Sequence, residues 1–250
     1  MDFKQRVLVA MSGGVDSSVA AAILKEAGYE VIGATMKVWP KELCGEVREK
    51  ACCSLKDIED ARSVSGALGI KHYVLNLEAD FRKNVIGYFT DEYLSGRTPN
   101  PCIVCNEKIK FGSLLKKAEN LKCNFIATGH YARIELNSHC RLGEAFDKAK
   151  DQSYVLFCLK ARQLKKILLP IGNLTKNDVR NKAKQLGLKV YNKPDSQEIC
   201  FIPDNNYSDF IKKFKNIQPA KGDIIDVSGK LLGHHTGFWN FTIGQRRGIG

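Results

Sequence analysis

No apolar stretch of about 18 residues occurs in this sequence, and no apolar segment of the kind found in a secretory signal peptide follows its start. We therefore expect no membrane span and a cytoplasmic protein. Internal repeats and low-complexity runs are absent as well. The 250 residues suit one large domain or two, and they are enough to bury a sizeable core.

Acidic residues are scarce relative to basic ones. There are 27 Asp and Glu against 39 Lys and Arg, which gives a formal net charge of +12. The excess is uneven, since residues 151–216 hold thirteen Lys or Arg and six Asp or Glu. A basic face of this kind favours a polyanionic partner such as nucleic acid. Charge alone does not distinguish a surface that binds nucleic acid from an ordinary basic surface that is only solvated.

The nine cysteines are an odd number, which argues against a disulfide scaffold. In a cytoplasmic setting they are thiols, and a few of them are candidates for reactive groups. Cys44, Cys52 and Cys53 fall in a predicted loop after the second strand. Cys123 and Cys158 lie in apolar runs and are interpreted as small buried hydrophobic residues.

Strands and helices alternate along most of the chain. Apolar strands are predicted at residues 5–11, 30–38, 72–77 and 123–128, with helical patterns between them. This alternation is typical of βαβ units in an α/β fold, a parallel sheet with helices on both faces. We predict one ATP-binding catalytic domain over residues 1–203. A short helix and a hairpin over residues 204–250 predict the start of a small α+β central domain.

The prolines at positions 99 and 101 interrupt the chain after a long helix. Because proline restricts itself and the residue before it, we predict a fixed loop here that presents Cys102 and Cys105. A turn and a short apolar strand are predicted further on, with Cys200 on the strand.

A segment rich in glycine and serine, MSGGVDSS at residues 11–18, follows the first predicted strand and opens the first helix. The first N–H groups of a helix have no partner within it, and the helix dipole favours negative charge there. Glycines allow close approach to an anion, and hydroxyl groups add donors. No Gly-x-x-x-x-Gly-Lys-Ser/Thr run exists in the sequence. We predict a phosphate-binding loop that is not of the Walker kind.

Five segments carry a resemblance to a known family. They are residues 11–18, Asn100-Pro101-Cys102-x-x-Cys105-Asn106, Gly129-His130-Tyr131, Asp151-Gln152-Ser153-Tyr154, and Asp195-Ser196-x-x-Ile199-Cys200-Phe201-Ile202. In this combination the whole chain resembles the tRNA-specific 2-thiouridylase (MnmA) family of the ATP pyrophosphatase, or PP-loop, superfamily. The resemblance implies an adenine-nucleotide alpha-hydrolase-like fold. It also implies a C-terminal β-barrel beyond residue 250, which this sequence does not include.

The resemblance implies ATP-dependent sulfur transfer to carbon 2 of the wobble uridine of tRNAs for lysine, glutamate and glutamine. ATP would adenylate the uracil 2-oxygen, and a cysteine persulfide would supply the sulfur. The persulfide falls on Cys200 and the nucleophile on Cys105, and the two would form a disulfide after turnover. A sulfur relay protein or a cysteine desulfurase would be the donor. Lys108 and Lys193 are the cations available to favour the thiolates.

The same resemblance implies the binding residues. ATP would contact Ala10, Met11, Ser12, Gly13, Gly14, Val15, Asp16, Ser17, Met36 and Gly129, and Asp16 would order the loop or help to hold Mg²⁺. The tRNA would contact Asn100, Pro101, Cys102, His130, Lys150, Asp151 and Gln152, with the target base flipped out of its stack.

Cys102 departs from the family pattern, which has an aspartate there as a proposed acid or base. A thiol has a reference pKa of about 8.5 against about 3.9 for aspartate, so the aspartate's role is open at this position. The change also admits an alternative in which Cys102, Cys105 and Cys200 hold a 4Fe-4S cluster, with the fourth iron carrying sulfide.

Two other classes of function are alternatives. A PP-loop ligase or amidotransferase acting on a small metabolite would need neither Cys105 nor Cys200. A non-catalytic nucleic-acid-binding module would use the basic surface with a degenerate loop. The loop retains Ser12, Gly13, Gly14, Asp16 and Ser17, which argues against degeneration.

Overall fold

The computed structural model describes residues 4–38, 55–136, 139–195, 199–202 and 206–249. The predicted loop cysteines Cys44, Cys52 and Cys53, and residues 196–198 of the motif before Cys200, lie outside these ranges. Within the described ranges no helix combines the length and the hydropathy that a bilayer crossing needs.

A five-stranded parallel sheet forms the centre of the molecule. In chain order the strands are β1 (Arg6–Ala10), β2 (Glu30–Lys37), β3 (Lys71–Asn76), β4 (Phe125–Ala127), β5 (Ala132–Leu136), β6 (Cys140–Glu144), β7 (Ile167–Leu168), β8 (Gly222–Ile225) and β9 (Leu231–His235). The central sheet has the order β3-β2-β1-β4-β7, and every neighbouring pair in it is parallel. The predicted α/β fold with a parallel sheet is confirmed.

Helices connect these strands. They are α1 (Val15–Glu26), α2 (Leu55–Ala67), α3 (Glu78–Phe81), α4 (Gly87–Leu94), α5 (Pro101–Val104), α6 (Leu114–Asn120), α7 (Ala161–Leu164), α8 (Lys176–Gln185) and α9 (Tyr207–Lys215). Two π-helical segments, Arg82–Ile86 and Cys105–Ser113, continue α3 into α4 and α5 into α6.

Both faces of the sheet are covered, because successive side chains of a buried strand point to opposite sides. On β1, Leu8 belongs to a core with Phe89 and Ile126. Its neighbours Val7 and Val9 belong to a second core, which includes the apolar residues of α1. The alternation along one strand therefore supports helices on both faces.

The chain order of the strands fixes where a ligand can bind. The chain runs outward from β1 to β2 and β3, and it then returns to place β4 on the other side of β1. The loops that leave β1 and β4 therefore diverge at the carboxyl edge of the sheet. Such a topological switch point is where α/β proteins bind their ligands.

Residues 206–249 pack on the main core through aromatic side chains. Phe210 and Trp239 are buried members of the core cluster that also contains Phe89. Tyr207 of α9 stacks on Tyr93 of α4, with ring centroids 4.7 Å apart. The antiparallel pair β8–β9 supplies the predicted hairpin.

Two predictions of local structure are wrong. Pro101 begins α5 instead of interrupting the chain, because the first position of a helix needs no N–H donor. The side chain of Asn100 caps this helix by accepting the N–H of Cys102 at 3.1 Å. Residues 199–202 form a turn rather than a strand, because Phe201 is inserted into the core between Phe81 and Phe89.

Candidate functional site

The loop between β1 and α1 is shaped by glycine and by its own hydroxyl groups. Gly13 has a φ of +72°, and a Cβ there would lie 2.3 Å from a backbone oxygen of α2. Ser18 Oγ donates to the carbonyl of Gly14 at 2.7 Å, and the N–H of Ser12 donates to Ser17 Oγ at 3.2 Å. Gly14 caps α1 without a side-chain acceptor. This geometry suits an anion at the start of the helix.

The loop after β4 packs directly against the loop after β1. A Cβ on Gly129 would lie 2.5 Å from the backbone nitrogen of Ser17, so only glycine fits there. The hydroxyl of Tyr131 donates to Asp16 Oδ1 at 2.7 Å. Burial and the neighbouring Asp16 carboxylate raise the pKa of Tyr131 well above its ordinary value, which keeps the hydroxyl a donor.

A cleft of about 480 Å³ opens over these two loops and brings most of the predicted site residues together. Those that line it are Ala10, Met11, Ser12, Gly14, Val15, Asp16, Ser17, Met36, Pro101, Cys102, Cys105, Gly129, His130, Lys150, Gln152 and Cys200. Predicted residues from six separate parts of the chain therefore share one cavity.

Three predicted site residues do not line the cleft: Gly13, Asn100 and Asp151. Gly13 shapes the phosphate loop, and Asn100 caps α5. Asp151 accepts the N–H of Ala145 at 2.6 Å and the hydroxyl of Ser153 at 2.6 Å. Burial opposes ionisation of Asp151, but these hydrogen bonds hold its pKa below the ordinary value. Asp151 therefore fixes the turn that leads to Gln152.

The three candidate cysteines approach the cleft from two structural elements. Cys102 lies on α5 and is exposed, whereas Cys105 begins the π-helical segment and is partly buried. Cys200 is partly buried in the turn that Phe201 anchors. The edges of the Phe201 ring contact Phe81 and Phe89 with centroid distances of 5.6 and 5.3 Å. The anchored turn holds Cys200 at the cleft.

A buried lysine that was not predicted as a site residue connects the two sides of the cleft. Lys176, the first residue of α8, lies 2.8 Å from both carboxylate oxygens of Asp16 and 2.7 Å from Asp195 Oδ1. Lys150 contacts the other oxygen of Asp195 at 2.8 Å. Burial would raise the pKa of Asp195, but Lys150 and Lys176 hold it below its usual range. The pairing became visible only in the fold, because 160 residues separate Lys176 from Asp16.

The two lysines predicted to favour thiolates are both engaged elsewhere. Lys193 lines the cleft, but it contacts Asp57 at 2.7 Å and Asp60 at 2.6 Å and donates to the carbonyl of Gly13 at 3.0 Å. Lys108 pairs with Glu107 at 2.7 Å and does not line the cleft. Lys110 lines it instead.

His130 is buried and bonded through both ring nitrogens. Its Nδ1 lies 2.6 Å from Thr128 Oγ1, and its Nε2 lies 3.3 Å from the ammonium of Lys110. Burial, aided by the charge of Lys110, lowers the pKa of His130 well below its ordinary value. The ring is therefore neutral at physiological pH.

Cys102, Cys105 and Cys200 are not grouped as a metal-binding donor set among the described residues. In the part of the chain that the structure describes, which includes Cys102, Cys105 and Cys200, no three His, Cys, Asp or Glu side chains are grouped closely enough to hold a metal ion. A cluster with three thiolate ligands requires such a group, so the donor arrangement does not fit the 4Fe-4S alternative.

Comparisons with known proteins place the sequence in one family. The family described as "tRNA methyl transferase HUP domain" matches residues 5–204, and "tRNA methyl transferase PRC-barrel domain" matches residues 208–250. The tRNA-specific 2-thiouridylase MnmA of Caldicellulosiruptor saccharolyticus is 54% identical over 99% of this chain and 69% of its own length. The enzyme of the same name from Acetivibrio thermocellus is 53% identical over 99% of this chain and 70% of its own length.

A solved structure shares the fold at much lower similarity. A 4-thiouridine synthetase, solved as an RNA complex with bound ATP, matches with a TM-score of 0.53 and 16% identity over 84% of this chain and 50% of its own. The family match over residues 5–204 and the relatives at 53–54% identity identify the family. The chain belongs to the tRNA-specific 2-thiouridylase (MnmA) family of PP-loop proteins.

Proposed function

We propose that this protein transfers sulfur to tRNA in an ATP-dependent reaction that converts the wobble uridine to 2-thiouridine. The observation that carries the proposal is the cleft, where the phosphate loop, Cys105 and Cys200 line one cavity. The names of the relatives, which are tRNA-specific 2-thiouridylases, support the same substrate and product. A PP-loop ligase acting on a small metabolite would have no use for the two cleft cysteines.

ATP binds with its phosphates on residues 10–17 and its adenine beside Met36. The support for this placement is the left-handed Gly13, the uncapped start of α1 and the position of the loop at the switch point. Met36 lines the cleft at the end of β2 and packs against the core. Gly129 keeps the second wall of the nucleotide site free of a side chain.

Mg²⁺ fits this site through Asp16 and the phosphate oxygens. Mg²⁺ in nucleotide sites commonly uses one or two carboxylates together with substrate phosphates. Asp16 is the one carboxylate within the phosphate loop, and Lys176 holds both of its oxygens. Asp16 would be the protein ligand of the ion. The bound ion supplies charge neutralisation for the pyrophosphate leaving group.

The first chemical step is adenylation of the uracil. The 2-oxygen of the base attacks the α-phosphorus of ATP, the bond to the β-phosphate breaks, and pyrophosphate leaves. The protein contributes the loop N–H groups, which stabilise the negative charge that develops on the phosphates. This step converts the 2-oxygen into part of a good leaving group, AMP.

The second step uses both cysteines. The terminal sulfur of a Cys200 persulfide attacks carbon 2, and AMP leaves. The Cys105 thiolate then attacks the Cys200 sulfur, the bond between that sulfur and the transferred sulfur breaks, and a Cys105–Cys200 disulfide forms. The transferred sulfur gains the two electrons that the cysteines lose. A dithiol reductant resets the enzyme, and a sulfur relay protein or cysteine desulfurase reloads Cys200.

The tRNA approaches with its target base flipped into the cleft, beside Pro101, Cys102 and His130. The basic excess over residues 151–216 binds phosphates without reading sequence. Asn100 and Asp151 act indirectly, since their side chains cap α5 and hold the turn before Gln152. We place the reaction in the cytoplasm and on tRNAs for lysine, glutamate and glutamine.

The proposed domain division assigns residues 1–203 to ATP binding and catalysis. Residues 204–250 are assigned to a second, smaller domain. The support is the change of architecture, from a parallel sheet to a helix and an antiparallel hairpin.

The test of the proposal is AMP release by the purified protein with ATP and in vitro transcribed tRNA for lysine. We expect AMP only when a tRNA with uridine at position 34 is present. The matched control is the same transcript with cytidine at that position, which should give background AMP. Release of AMP without tRNA would support a ligase acting on a small metabolite instead. Binding of tRNA without any AMP formation would support a non-catalytic module.

A further inference from the structure

Lys110 differs from the other cationic side chains of the cleft. Of the residues that the structure describes, four lysines and no arginine line the cavity. Lys150, Lys176 and Lys193 each have a carboxylate oxygen within 2.8 Å. Lys110 forms no ion pair with a carboxylate among the described residues, and its polar contact is His130 Nε2 at 3.3 Å. Among the residues that the structure describes, its positive charge is therefore not balanced by a neighbouring acid.

The imidazole of His130 holds the Lys110 ammonium in place. A lysine ammonium only donates, so Nε2 of His130 accepts, and the ring proton lies on Nδ1. That proton points to Thr128 Oγ1 at 2.6 Å. Because Thr128 and His130 follow directly after β4, the ammonium is tied to the carboxyl edge of the sheet.

The π-helical segment places Cys105 and Lys110 on the same side. In an α-helix of 3.6 residues per turn, two residues five positions apart point about 140° away from each other. The bonding pattern of a π-helix spans five residues and brings such positions close to one face. The segment begins at Cys105 and contains Lys110, and both residues line the cleft.

The other charged groups of the cleft form pairs with each other. Asp16 is held by Lys176, Asp57 by Lys193, and Asp195 by Lys150 and Lys176. Tyr131, Cys102 and Cys200 complete the titratable groups of the lining together with His130. Within the described part of the cleft, Lys110 is therefore the cation that no carboxylate compensates, and it lies on the Cys105 side.

We propose that Lys110 holds the sulfur of Cys105 as a thiolate, with Thr128 and His130 as the positioning residues of its ammonium. The Cys105 proton leaves to water, and no other bond changes. The proposal rests on the proposed function only in taking Cys105 as the nucleophile. A neighbouring positive charge favours the ionised form of a thiol, so removal of Lys110 should raise the apparent pKa of Cys105.

The test measures thiol reactivity directly and needs neither tRNA nor ATP. The protein is reduced and kept anaerobic, and iodoacetamide alkylation of Cys105 is followed by mass spectrometry between pH 5.5 and 10. All variants carry Cys102→Ser, so that Cys105 is the one thiol left in the tryptic peptide of residues 98–108. Burial raises the pKa of Cys123 and Cys158, so these thiols are slow internal references.

In Lys110→Met we expect the midpoint of the alkylation profile to move up by about one unit, with a roughly tenfold slower rate at pH 7. Lys110→Arg should retain the low midpoint. The matched control is Lys108→Met, two positions away and paired with Glu107 outside the cleft, which should leave the profile unchanged. Thermal unfolding of each variant checks the fold, and Lys110→Gln replaces the methionine variant if that one unfolds.

An unchanged profile in Lys110→Met or Lys110→Gln would overturn the proposal, and so would an equal shift in Lys108→Met. Weaker ATP binding with an unchanged profile would assign Lys110 to the phosphates instead and would also overturn it. The outcome is separable from the proposed function. A protein that fails to thiolate tRNA but shows the shift supports Lys110 and contradicts the function.

Discussion

The ammonium of Lys176 lies 2.8 Å from both carboxylate oxygens of Asp16. The same ammonium contacts Asp195, which stands five residues before Cys200. One buried cation thus joins the phosphate loop to the segment that carries the proposed persulfide. We infer that this contact sets the position of the phosphate loop relative to the segment that carries Cys200.

Replacing Lys176 by Met should destabilise the protein, because Asp16 and Asp195 would then face each other without their shared cation. Fully buried pairs cost about 3–5 kcal/mol when one partner is removed. The side chains of Asp16 and Asp195 are still 30% and 27% exposed. We therefore expect the free energy of unfolding, measured with urea, to fall by about 2 kcal/mol. Lys184→Met, an exposed change on the same helix, should stay within about 0.5 kcal/mol of wild type. Equal stability of the two variants would show that the network is not structural.

Acid should weaken the fold through Asp195. Its pKa is lowered in the folded protein by Lys150 and Lys176 against the effect of burial. A carboxylate with a depressed pKa stabilises the fold above its unfolded pKa of about 4, and this stabilisation is lost as the pH falls through the folded value. Urea unfolding between pH 2.5 and 7 should therefore show a shallower acid decline in Asp195→Asn than in wild type. Asp91→Asn, on an exposed carboxylate, is the control and should retain the wild-type slope.

Gly129→Ala should damage the nucleotide site. The new methyl group would lie 2.5 Å from Ser17 N and 2.6 Å from the backbone carbon of Asp16. Neither atom belongs to a flexible side chain, so the phosphate loop has to shift. We expect ATP binding, measured by calorimetry, to weaken about tenfold, since overpacking costs about 1–3 kcal/mol.

Gly66→Ala is the matched control for this substitution. Gly66 lies in α2 with open space around its Cβ position. Alanine in a helix is favoured over glycine by about 0.5–1 kcal/mol, so this variant should bind ATP normally and unfold at slightly higher urea. ATP binding of Gly129→Ala at the wild-type level would remove the loop after β4 from the nucleotide site.

Cys102→Ser should retain most of the thiolation activity under anaerobic conditions. The three cleft cysteines do not group as metal ligands among the described residues, and the two-cysteine route uses only Cys105 and Cys200. The measurement is 2-thiouridine in digested tRNA, with bound iron determined in parallel. Simultaneous loss of activity and of bound iron in this variant would establish the cluster route in place of the persulfide route.

The sheet and the glycine-serine loop could be predicted because their signals are local, whereas the residues that share the cleft were predicted from the family resemblance. Apolar strands alternate with helices, and the glycine-serine segment stands at the end of the first strand. The signal for α5 was also present, since Asn100 followed by Pro101 is a favoured helix start. Pro101 was interpreted as a residue that interrupts helices, although proline is favoured at the first position of a helix. The π-helical turn that follows has no comparable local signal.

Lys176 and Lys110 could not be selected from the sequence. The partners of Lys176 lie far away along the chain, and the basic composition of α8 suggests an exposed helix. Lys110 differs from Lys108 only in the side of the helix that it occupies. A predicted α-helix would have placed Lys110 on the side away from Cys105, whereas the π-helical segment places both residues on one side. Both residues gain their significance from the packing of α8 and of the π-helical segment against the loops at the carboxyl edge of the sheet.

The central claim is tested most directly by 2-thiouridine formation in unmodified tRNA for lysine, with ATP, a reductant and a persulfide donor, measured by mass spectrometry of the digested tRNA. Wild type should form 2-thiouridine at position 34 with an equal amount of AMP. Cys105→Ser and Cys200→Ser should form none, and Cys123→Ser should match wild type. Wild-type protein that makes no 2-thiouridine, or a Cys200→Ser variant that makes it at the wild-type rate, would contradict the account.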